Sequence, residues 1–277
     1  MPDRPLNEIA EEYSISAGSQ LGAEIAFGVG ALLALAYCVY LARKDRKIWP
    51  LMVWLAGGVM TLWEPMQNIV TNVVYPADGQ HTAFVIYDLK MPVYLVLLYV
   101  MYHGLTIPWL MKKIEAGVSI GWLMKMYFAT VAFAAAFEPV PVHVMNWYHY
   151  EGANQPLKFF GIPIWWFFVN AMVVMGLAIL LSALRKHVLT ADWQTVAFIP
   201  GAVLITGGLH HSAGIPAYTA IGSGWGLGAT IPLSLLSCVL AVVWVYLLSR
   251  LVAVDAANGT TAQAGDPGRS DTLQTTS

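Results

Sequence analysis

Residues 162–184 read IPIWWFFVNAMVVMGLAILLSAL, a stretch that contains no charged side chain. A helix of about 20 apolar residues crosses the hydrocarbon core of a bilayer, so this stretch predicts a transmembrane helix. The whole chain has the same character, with 58% hydrophobic residues, 11% charged residues and a mean hydropathy of +0.62. Because a soluble domain carries about 25% charged residues, the composition predicts an integral membrane protein.

Seven such stretches predict an all-α, polytopic bundle of about seven transmembrane helices. They are Leu21–Ala42, Trp49–Val74, Met91–Met111, Ile120–Val142, Ile162–Leu184, Thr195–His211 and Leu227–Leu251. The sixth is short, and we expect Pro200 to kink it. The chain is therefore divided into an N-terminal extramembrane segment (1–20), a seven-helix transmembrane domain (21–253) and a disordered C-terminal tail (254–277).

Basic residues are concentrated in alternate connections. Ten lie on one side and three on the other; the ten are Arg43, Lys44, Arg46, Lys47, Lys112, Lys113, Arg185, Lys186, Arg250 and Arg269. Short loops rich in Lys and Arg stay in the cytoplasm, so we predict a multi-pass cell-membrane protein with the N-terminus outside and the C-terminus cytoplasmic. The longer outer connections, at 76–90, 143–161 and 212–226, indicate a functional site at the outer end.

The second span carries polar residues at helical spacings of three and four. Glu64, Asn68, Thr71, Asn72 and Tyr75 form one stripe on an otherwise apolar helix. A carboxyl group within the membrane costs several kcal/mol unless it faces protein or a polar cavity, so the stripe is predicted to point inward. Hydrogen bonding between helices is the alternative interpretation.

The fourth span repeats the same aromatic–Glu–Pro arrangement. Phe137-Glu138-Pro139 corresponds to Trp63-Glu64-Pro65, and both spans run in the same direction. Each Pro removes a backbone donor just after the acid, and such a break inside a bundle usually lines a site or cavity. We therefore predict that Glu64 and Glu138 face one another across a shared site, the alternative being that one of them caps a helix end near water.

Further candidates accompany the two acids. Asp88, His143 and His210 are weaker catalytic candidates; the predicted substrate contacts are Asn68, Asn72, Trp63, Asn146, Trp147, Tyr150 and Trp165. His103 is expected to lie apart from the site, toward the cytoplasmic end. No HxxxH or ExxH pair occurs within a span, so no metal site is predicted, and the net charge of −2 gives no reason to expect a nucleic-acid partner.

Paired carboxyl groups in an apolar, aromatic cavity are suited to acid–base catalysis on a lipophilic molecule. Proton-initiated cyclisation, isomerisation or dehydration is therefore the predicted chemistry. A proton-coupled transporter using the same acids is one alternative, although secondary carriers usually show a more extensive inverted repeat. A non-catalytic lipid-binding membrane protein is the other.

Three short motifs occur in and beside the second, fourth and fifth spans. They are Leu62-Trp63-Glu64-Pro65-Met66-Gln67-Asn68, the stretch from Phe137-Glu138 to Tyr150-Glu151-Gly152, and Phe160-Gly161-Ile162-Pro163. Together they resemble the avermectin spirocyclase family of actinobacterial membrane proteins. The likeness covers roughly Trp49 to Leu184, and Glu64 stands where that family has Asp. The resemblance implies a spiroketal cyclase or dehydratase of secondary metabolism.

A second set of motifs consists of Arg43-Lys44-Asp45-Arg46, Trp63-Glu64 and Val74-Tyr75-Pro76. This set carries a weaker resemblance, to the integral-membrane meroterpenoid cyclases of fungi. Those enzymes have seven spans, and the likeness implies that their early Glu corresponds to Glu64. Their second acid lies in the last span, whereas Leu227–Leu251 contains no carboxylate. Both resemblances imply acid-driven ring closure on a polyketide or isoprenoid, without a metal or organic cofactor.

Overall fold

The computed structural model describes residues 4–253 as a bundle of long helices with small β-hairpins at one end. The α-helices of this part are α1 Leu6–Ala10, α2 Ala17–Asp45, α3 Trp49–Met60, α4 Glu64–Thr71, α5 Val93–Glu115, α6 Ile120–Phe137, α7 Ile164–His187, α8 Phe198–Gly222 and α9 Leu227–Ser249. The strands are β1 Val73–Val74, β2 Thr82–Ile86, β3 Leu89–Pro92, β4 His149–Tyr150, β5 Lys158–Phe159 and β6 Ile162–Pro163. The predicted all-α polytopic bundle is confirmed. The tail at 254–277 lies outside the described residues.

Six helices in residues 4–253 are long and apolar enough to cross a membrane. With their adjoining turns they are Ala17–Asp45, Val93–Glu115, Ile120–Val144, Ile164–His187, Asp192–Gly222 and Leu227–Ser249. The predicted second span is instead divided into α3, a 3₁₀ turn at Thr61–Trp63, and α4. Pro65 cannot donate a backbone hydrogen bond, and Asn72 ends α4 in a left-handed conformation with φ 54°. The predicted seven spans thus become six long helices and one broken helix.

The predicted bounds of the sixth span are wrong. Helix α8 continues through Pro216 to Gly222, and a 3₁₀ turn at Asp192–Ala197 precedes it. Pro200 lies in the first turn of α8, where a missing N–H leaves no helical hydrogen bond unmade. Consequently His210 lies inside the helix rather than at its end, and the connection predicted at 212–226 shrinks to four residues, 223–226.

One end of the bundle, called the basic end below, is held by ion pairs between the ends of α2, α5 and α7 and by a hydrogen bond between the α2–α3 and α7–α8 connections. The Lys112 ammonium lies 2.9 Å from carboxylate oxygens of both Asp45 and Glu115. Arg185 also pairs with Glu115. The Ile48 backbone N–H donates to Asp192 at 2.8 Å. These contacts fix the relative positions of the helix ends that the sequence predicts to be cytoplasmic.

The opposite end, called the hairpin end, carries α1 and all six strands. Strands β2 and β3 form one hairpin and β5 and β6 another. Strand β1 pairs antiparallel with β4, with Val73 opposite Tyr150 and Val74 opposite His149. An isolated bridge joins Ser14 to Asp78. The predicted connection 143–161 is thus paired with the end of the predicted second span, and the N-terminal segment is bridged to the connection 76–90. Together these segments form a cover over the helices.

Helix α7 is the centre of the bundle and α6 lies at its edge. Of the most apolar window of α7, 72% is buried, compared with 11% for α6. Helix α7 packs against α5, α6, α8 and α9. Helix α5 packs on α7 with one side and lies close to α3 with the other. A Cβ added at Gly57 of α3 would come within 3.0 Å of the Tyr99 carbonyl oxygen of α5. This close approach brings Tyr99 beside the start of α4.

Candidate functional site

A cavity of about 160 Å³ lies inside the bundle, beneath the hairpin end. Its wall is mainly aromatic and aliphatic, with a few polar groups. The polar and aromatic side chains that line it are Glu64, Tyr75, Tyr99, Tyr102, His103, Thr130, Phe133, Phe137, Glu138, Trp147, Tyr148, Tyr150, Trp166, Asn170, Thr206 and His210. The two glutamates that the sequence places in separate spans therefore line the same cavity.

Glu64 is the first residue of α4, directly after the 3₁₀ turn, and is 4% exposed. Its two carboxyl oxygens accept hydrogen bonds from different tyrosines. The Tyr75 hydroxyl donates to Oε1 at 2.8 Å, and the Tyr99 hydroxyl donates to Oε2 at 2.5 Å. Both oxygens of this buried group are thereby satisfied, as burial of a carboxyl group requires.

Glu138 follows the last residue of α6 and is 7% exposed. Its Oε1 accepts from the Trp166 indole N–H at 2.9 Å, with the Asn170 amide at 3.5 Å. Its Oε2 accepts from the Tyr150 hydroxyl at 3.1 Å. Glu138 is thus held by side chains from α7 and from the segment that contains β4.

Both Glu-Pro pairs lie where the helix changes type, as predicted from the prolines. Before Pro65 the chain passes from a 3₁₀ turn into α4. After Pro139 it forms a π-helical turn at Val140–Val144. Such irregular turns are frequent at functional sites because they turn side chains away from the regular helical direction. Here they accompany the two carboxyl groups that face the cavity.

A row of aromatic rings connects the two carboxyl groups. The Tyr75 ring lies 5.8 Å from that of Tyr148, and Tyr148 lies 5.9 Å from Tyr150, centroid to centroid. Tyr75 binds Glu64 and Tyr150 binds Glu138. Tyrosine hydroxyls can both donate and accept hydrogen bonds, so the two acids share one polar, aromatic wall.

Two histidines line the cavity. The Nδ1 of His103 lies 3.0 Å from the Tyr99 carbonyl oxygen, which can only accept, so this nitrogen carries the proton and Nε2 is left as the basic atom. The Nδ1 of His210 lies 3.1 Å from the Tyr218 hydroxyl, and its ring stacks on Trp166 at 5.9 Å. The prediction that His103 lies apart from the site is wrong. One turn of α5 places Tyr99, Tyr102 and His103 on the same face.

Five of the predicted site residues line the cavity: Glu64, Glu138, His210, Trp147 and Tyr150. The other seven lie elsewhere. Trp63 packs on α8, with its ring 5.2 Å from that of His211. Trp165 packs on Trp166 and on Tyr218, at 5.7 Å and 5.4 Å. Adjacent helical residues point about 100° apart, so Trp166 lines the cavity and Trp165 does not.

Three more of the seven belong to the hairpin end. Asp88 is exposed in the turn between β2 and β3, with φ 60°. The Asn146 amide donates to the Ser14 carbonyl oxygen at 2.9 Å. A ring nitrogen of His143 contacts the Phe160 carbonyl oxygen. These contacts hold connecting segments together at a distance from the cavity.

The two asparagines of the polar stripe are buried but do not reach the cavity. Asn72 caps the end of α4, and its carbonyl oxygen accepts from the Glu151 N–H at 2.8 Å. Asn68 is 1% exposed and lines a smaller cavity of about 60 Å³. Its Oδ1 has no hydrogen-bond partner among the described residues. The stripe does point inward as predicted, although only Glu64 and Tyr75 face the main cavity.

Several lining residues were not among the predicted site residues, namely Tyr99, Tyr102, Tyr148, Trp166 and Asn170. A spacing signal exists for some of them. Trp166 and Asn170 are four residues apart, as are Tyr99 and His103, and residues four apart share a helix face. The signal is a polar stripe on α5 and on α7 that resembles the stripe on α4.

A separate polar cluster lies at the hairpin end, outside the spanning segments. The Tyr13 hydroxyl donates to the Glu151 carboxylate at 2.6 Å, which together with burial raises the pKa of Tyr13 to about 12. The Tyr13 ring stacks on His149 at 3.9 Å. Burial lowers the pKa of His149 below its ordinary value. The cluster ties the N-terminal segment to β4.

Among residues 4–253, no group of three or more His, Cys, Asp or Glu side chains is arranged to hold a metal ion. Protein-family models, curated proteins and solved structures were compared with the chain, and none of them matches it.

Proposed function

We propose that this chain is a membrane-integral acid–base catalyst that cyclises, isomerises or dehydrates a lipophilic polyketide or isoprenoid, in the manner of the spirocyclase-like proteins it resembles. One observation carries the proposal: Glu64 and Glu138 line a single cavity whose wall is otherwise mainly aromatic and aliphatic. Paired carboxyl groups can supply both the acid and the base of one reaction.

The proposed reaction begins with proton transfer from one carboxyl group to a carbonyl, hydroxyl or alkene of the substrate. The resulting cation is attacked by a hydroxyl or alkene of the same molecule, which closes the ring, or it loses water. The second carboxylate then takes up the proton that is released. In each turnover one proton therefore passes, through the substrate, from the acid to the base. Aromatic faces of Tyr99, Tyr148 and Trp166 can stabilise the cation through cation–π contact.

The neighbours of the two acids provide a route by which the proton returns. Tyr75, Tyr148 and Tyr150 lie between the carboxyl groups, and hydroxyl groups can relay a proton by donating and accepting in turn. The basic Nε2 of His103 is a further acceptor in the same cavity. No metal or organic cofactor takes part in the proposed chemistry.

We place the chain in the cell membrane as a multi-pass protein, with the hairpin end and the N-terminus outside and the basic end in the cytoplasm. The asymmetry of Lys and Arg supports this orientation, and the ion-paired connections that contain them lie together at the basic end.

To test the proposal, the chain is expressed in a host and the membranes of that host are collected. These membranes are then incubated with lipid extracts of polyketide- and terpenoid-producing cultures. Wild type should convert a component of the extract, whereas Glu64→Gln and Glu138→Gln should lower conversion by about 10²–10⁴-fold, the usual contribution of a general acid or base. Glu24→Gln is the matched control, because Glu24 lies outside the cavity and pairs with His81.

Identical extracts from wild type and both cavity variants would contradict the catalytic proposal. Proton-coupled uptake that is lost in the same variants, without any new product, would instead indicate a transporter.

A further inference from the structure

We infer that the cavity opens sideways into the bilayer, between α5 and α6, and that a neutral lipid-soluble molecule enters it by this route. The inference rests on the proposed function in one respect, which is that the entering molecule is taken to be the substrate.

The mouth is indicated by side chains that face both the cavity and the outside of the bundle. Phe133 and Phe137 line the cavity, yet they are 56% and 39% exposed. They lie one turn apart on α6 with parallel rings, 5.7 Å between centroids. Because the most apolar window of α6 is only 11% buried, the surface on which these rings lie faces lipid.

The packing of α6 leaves a gap beside it. Helix α6 packs on α7 and α9. It meets α5 near the basic end, where the rings of Trp109 and Trp122 lie 5.9 Å apart. Elsewhere in the described residues the backbones of α5 and α6 scarcely approach each other. Across the gap, α5 presents Leu98, Tyr99 and Tyr102, which line the cavity and are half-buried. The opening is therefore bordered by phenylalanines on one helix and by tyrosines and a leucine on the other.

The route from water is closed by the hairpin end. Val73, Trp147 and Tyr150 line the cavity on this side and are 3%, 7% and 8% exposed. The pairing of β1 with β4 holds this cover together. The Tyr94 hydroxyl also donates to the Trp147 carbonyl oxygen at 2.8 Å. A molecule arriving from water would have to separate this ladder, whereas one arriving from lipid meets two exposed phenylalanines.

The chemistry of the lining indicates what enters. No Lys or Arg of residues 4–253 lines the cavity, so an anionic head group would find no counter-charge there. The mouth also lies within the apolar part of α6. Phe133 is two turns beyond the exposed Lys125, which corresponds to about 12 Å along the helix. A neutral molecule with an extended apolar part fits both observations.

The experiment uses the full chain in lipid nanodiscs together with a long-chain alkanol that carries a mid-chain diazirine. After irradiation, adducts are mapped by mass spectrometry. We expect adducts on interior residues of the Tyr148–Tyr150 segment and on Glu138, in addition to the lipid-facing surface. Ala134→Trp, which places a large ring in the lining of α6 at the mouth, should lower interior labelling severalfold. Ala136→Trp, on the exposed face of the same helix and outside the lining, should leave it unchanged.

A second variant covers the case in which Ala134→Trp does not fold. Phe133→Ala shortens an exposed side chain at the mouth and should raise interior labelling. Wild-type labelling confined to the outer surface would overturn the inference. So would interior labelling that neither Ala134→Trp nor Phe133→Ala changes. Glu64→Gln and Glu138→Gln should retain interior labelling, because they do not narrow the mouth. Loss of conversion and loss of entry are therefore measured separately, and the proposed function can fail while the route stands.

Discussion

Tyr75 is the residue that connects the two polar regions of this bundle. Its hydroxyl donates to Glu64 at 2.8 Å, and its side chain lines both the main cavity and the smaller cavity beside Asn68. The smaller cavity also contacts Glu11, Asp88 and Lys90 of the hairpin end. Tyr75 therefore lies between the buried Glu64 carboxyl group and the polar residues of the hairpin end.

Replacing Tyr75 with Phe retains the ring and removes only the hydroxyl. One oxygen of the buried Glu64 carboxyl group would then lack its partner, so we expect a loss of about 1–3 kcal/mol in the free energy of unfolding and a fall in any conversion that depends on Glu64. Denaturant titration in detergent measures the first quantity. Tyr87→Phe is the control, since Tyr87 is 61% exposed and its loss should change stability by less than about 0.5 kcal/mol. Equal stability of the two variants would show that the Tyr75 hydroxyl does not support Glu64.

At the scale of the elements, irregular segments rather than the long helices position the site. The carboxyl groups stand at a 3₁₀-to-α junction and at an α-to-π junction, and their tyrosine donors come partly from the segment around β1 and β4. The pairing of β1 with β4 is therefore structural support for the site. The neighbouring cluster of Tyr13, His149 and Glu151 is joined to this pairing, because His149 belongs to β4 and the Glu151 N–H donates to the Asn72 carbonyl oxygen.

We expect His149 to make the hairpin end sensitive to acid. Burial lowers its pKa below the ordinary value of 6.5, Glu151 opposes this change, and His143 adds to it. Below about pH 6.5 the unfolded chain therefore binds a proton before the folded chain does, so stability falls as the pH falls toward the folded pKa and is fully present above 6.5.

The matching variant is His149→Phe, which keeps an aromatic ring against Tyr13 and removes the titrating group. Between about pH 7.5 and about pH 5.5, we expect the Tm of wild type in detergent to fall more than that of His149→Phe. His187→Phe, at an exposed position at the end of α7, should behave like wild type. A pH dependence that is the same in all three proteins would refute this role of His149.

At the scale of the whole molecule, the broken helix decides how many times the chain crosses the membrane. Helix α2 begins at the hairpin end, and α9 runs from that end toward the basic end. If α3 and α4 together make one crossing, the chain crosses seven times, which agrees with α2 beginning at the hairpin end and α9 ending at the basic end. Residues 47 and 87 flank the broken helix. The side of the membrane on which each of them lies therefore shows whether α3 and α4 cross it.

We expect Lys47 and Tyr87 to lie on opposite sides of the membrane. Single cysteines at these exposed positions, in a background where Cys38→Ser and Cys238→Ala remove the native thiols, are treated with an impermeant maleimide. Tyr87→Cys should react in intact cells, and Lys47→Cys only after the cells are broken. The reverse pattern would invert the proposed orientation, and reaction of both in intact cells would show that α3 and α4 do not cross.

The sequence by itself determined that the chain is a membrane protein and that it contains the six long apolar helices. It also determined that two acids lie at the Glu-Pro breaks. Hydrophobicity over about 20 residues and a proline beside a carboxyl group are local properties, so they can be recognised without knowing which segments meet. The inward direction of the stripe from Glu64 to Tyr75 can likewise be recognised from the spacing of its polar residues alone. The end of α8 was missed because an internal proline such as Pro216 does not always stop a helix that its neighbours support.

Only the tertiary structure decided that Glu64 and Glu138 line one cavity, and which side chains complete it. Tyr99 and His103 come from α5, Trp166 and Asn170 from α7, and Tyr150 from β4. Their meeting depends on packing between segments that are far apart in the chain. Local periodicity gives the face of each helix but not the partner that it faces. For the same reason the pairing of Val73 with Tyr150, and the gap beside α6, follow from the packed bundle alone.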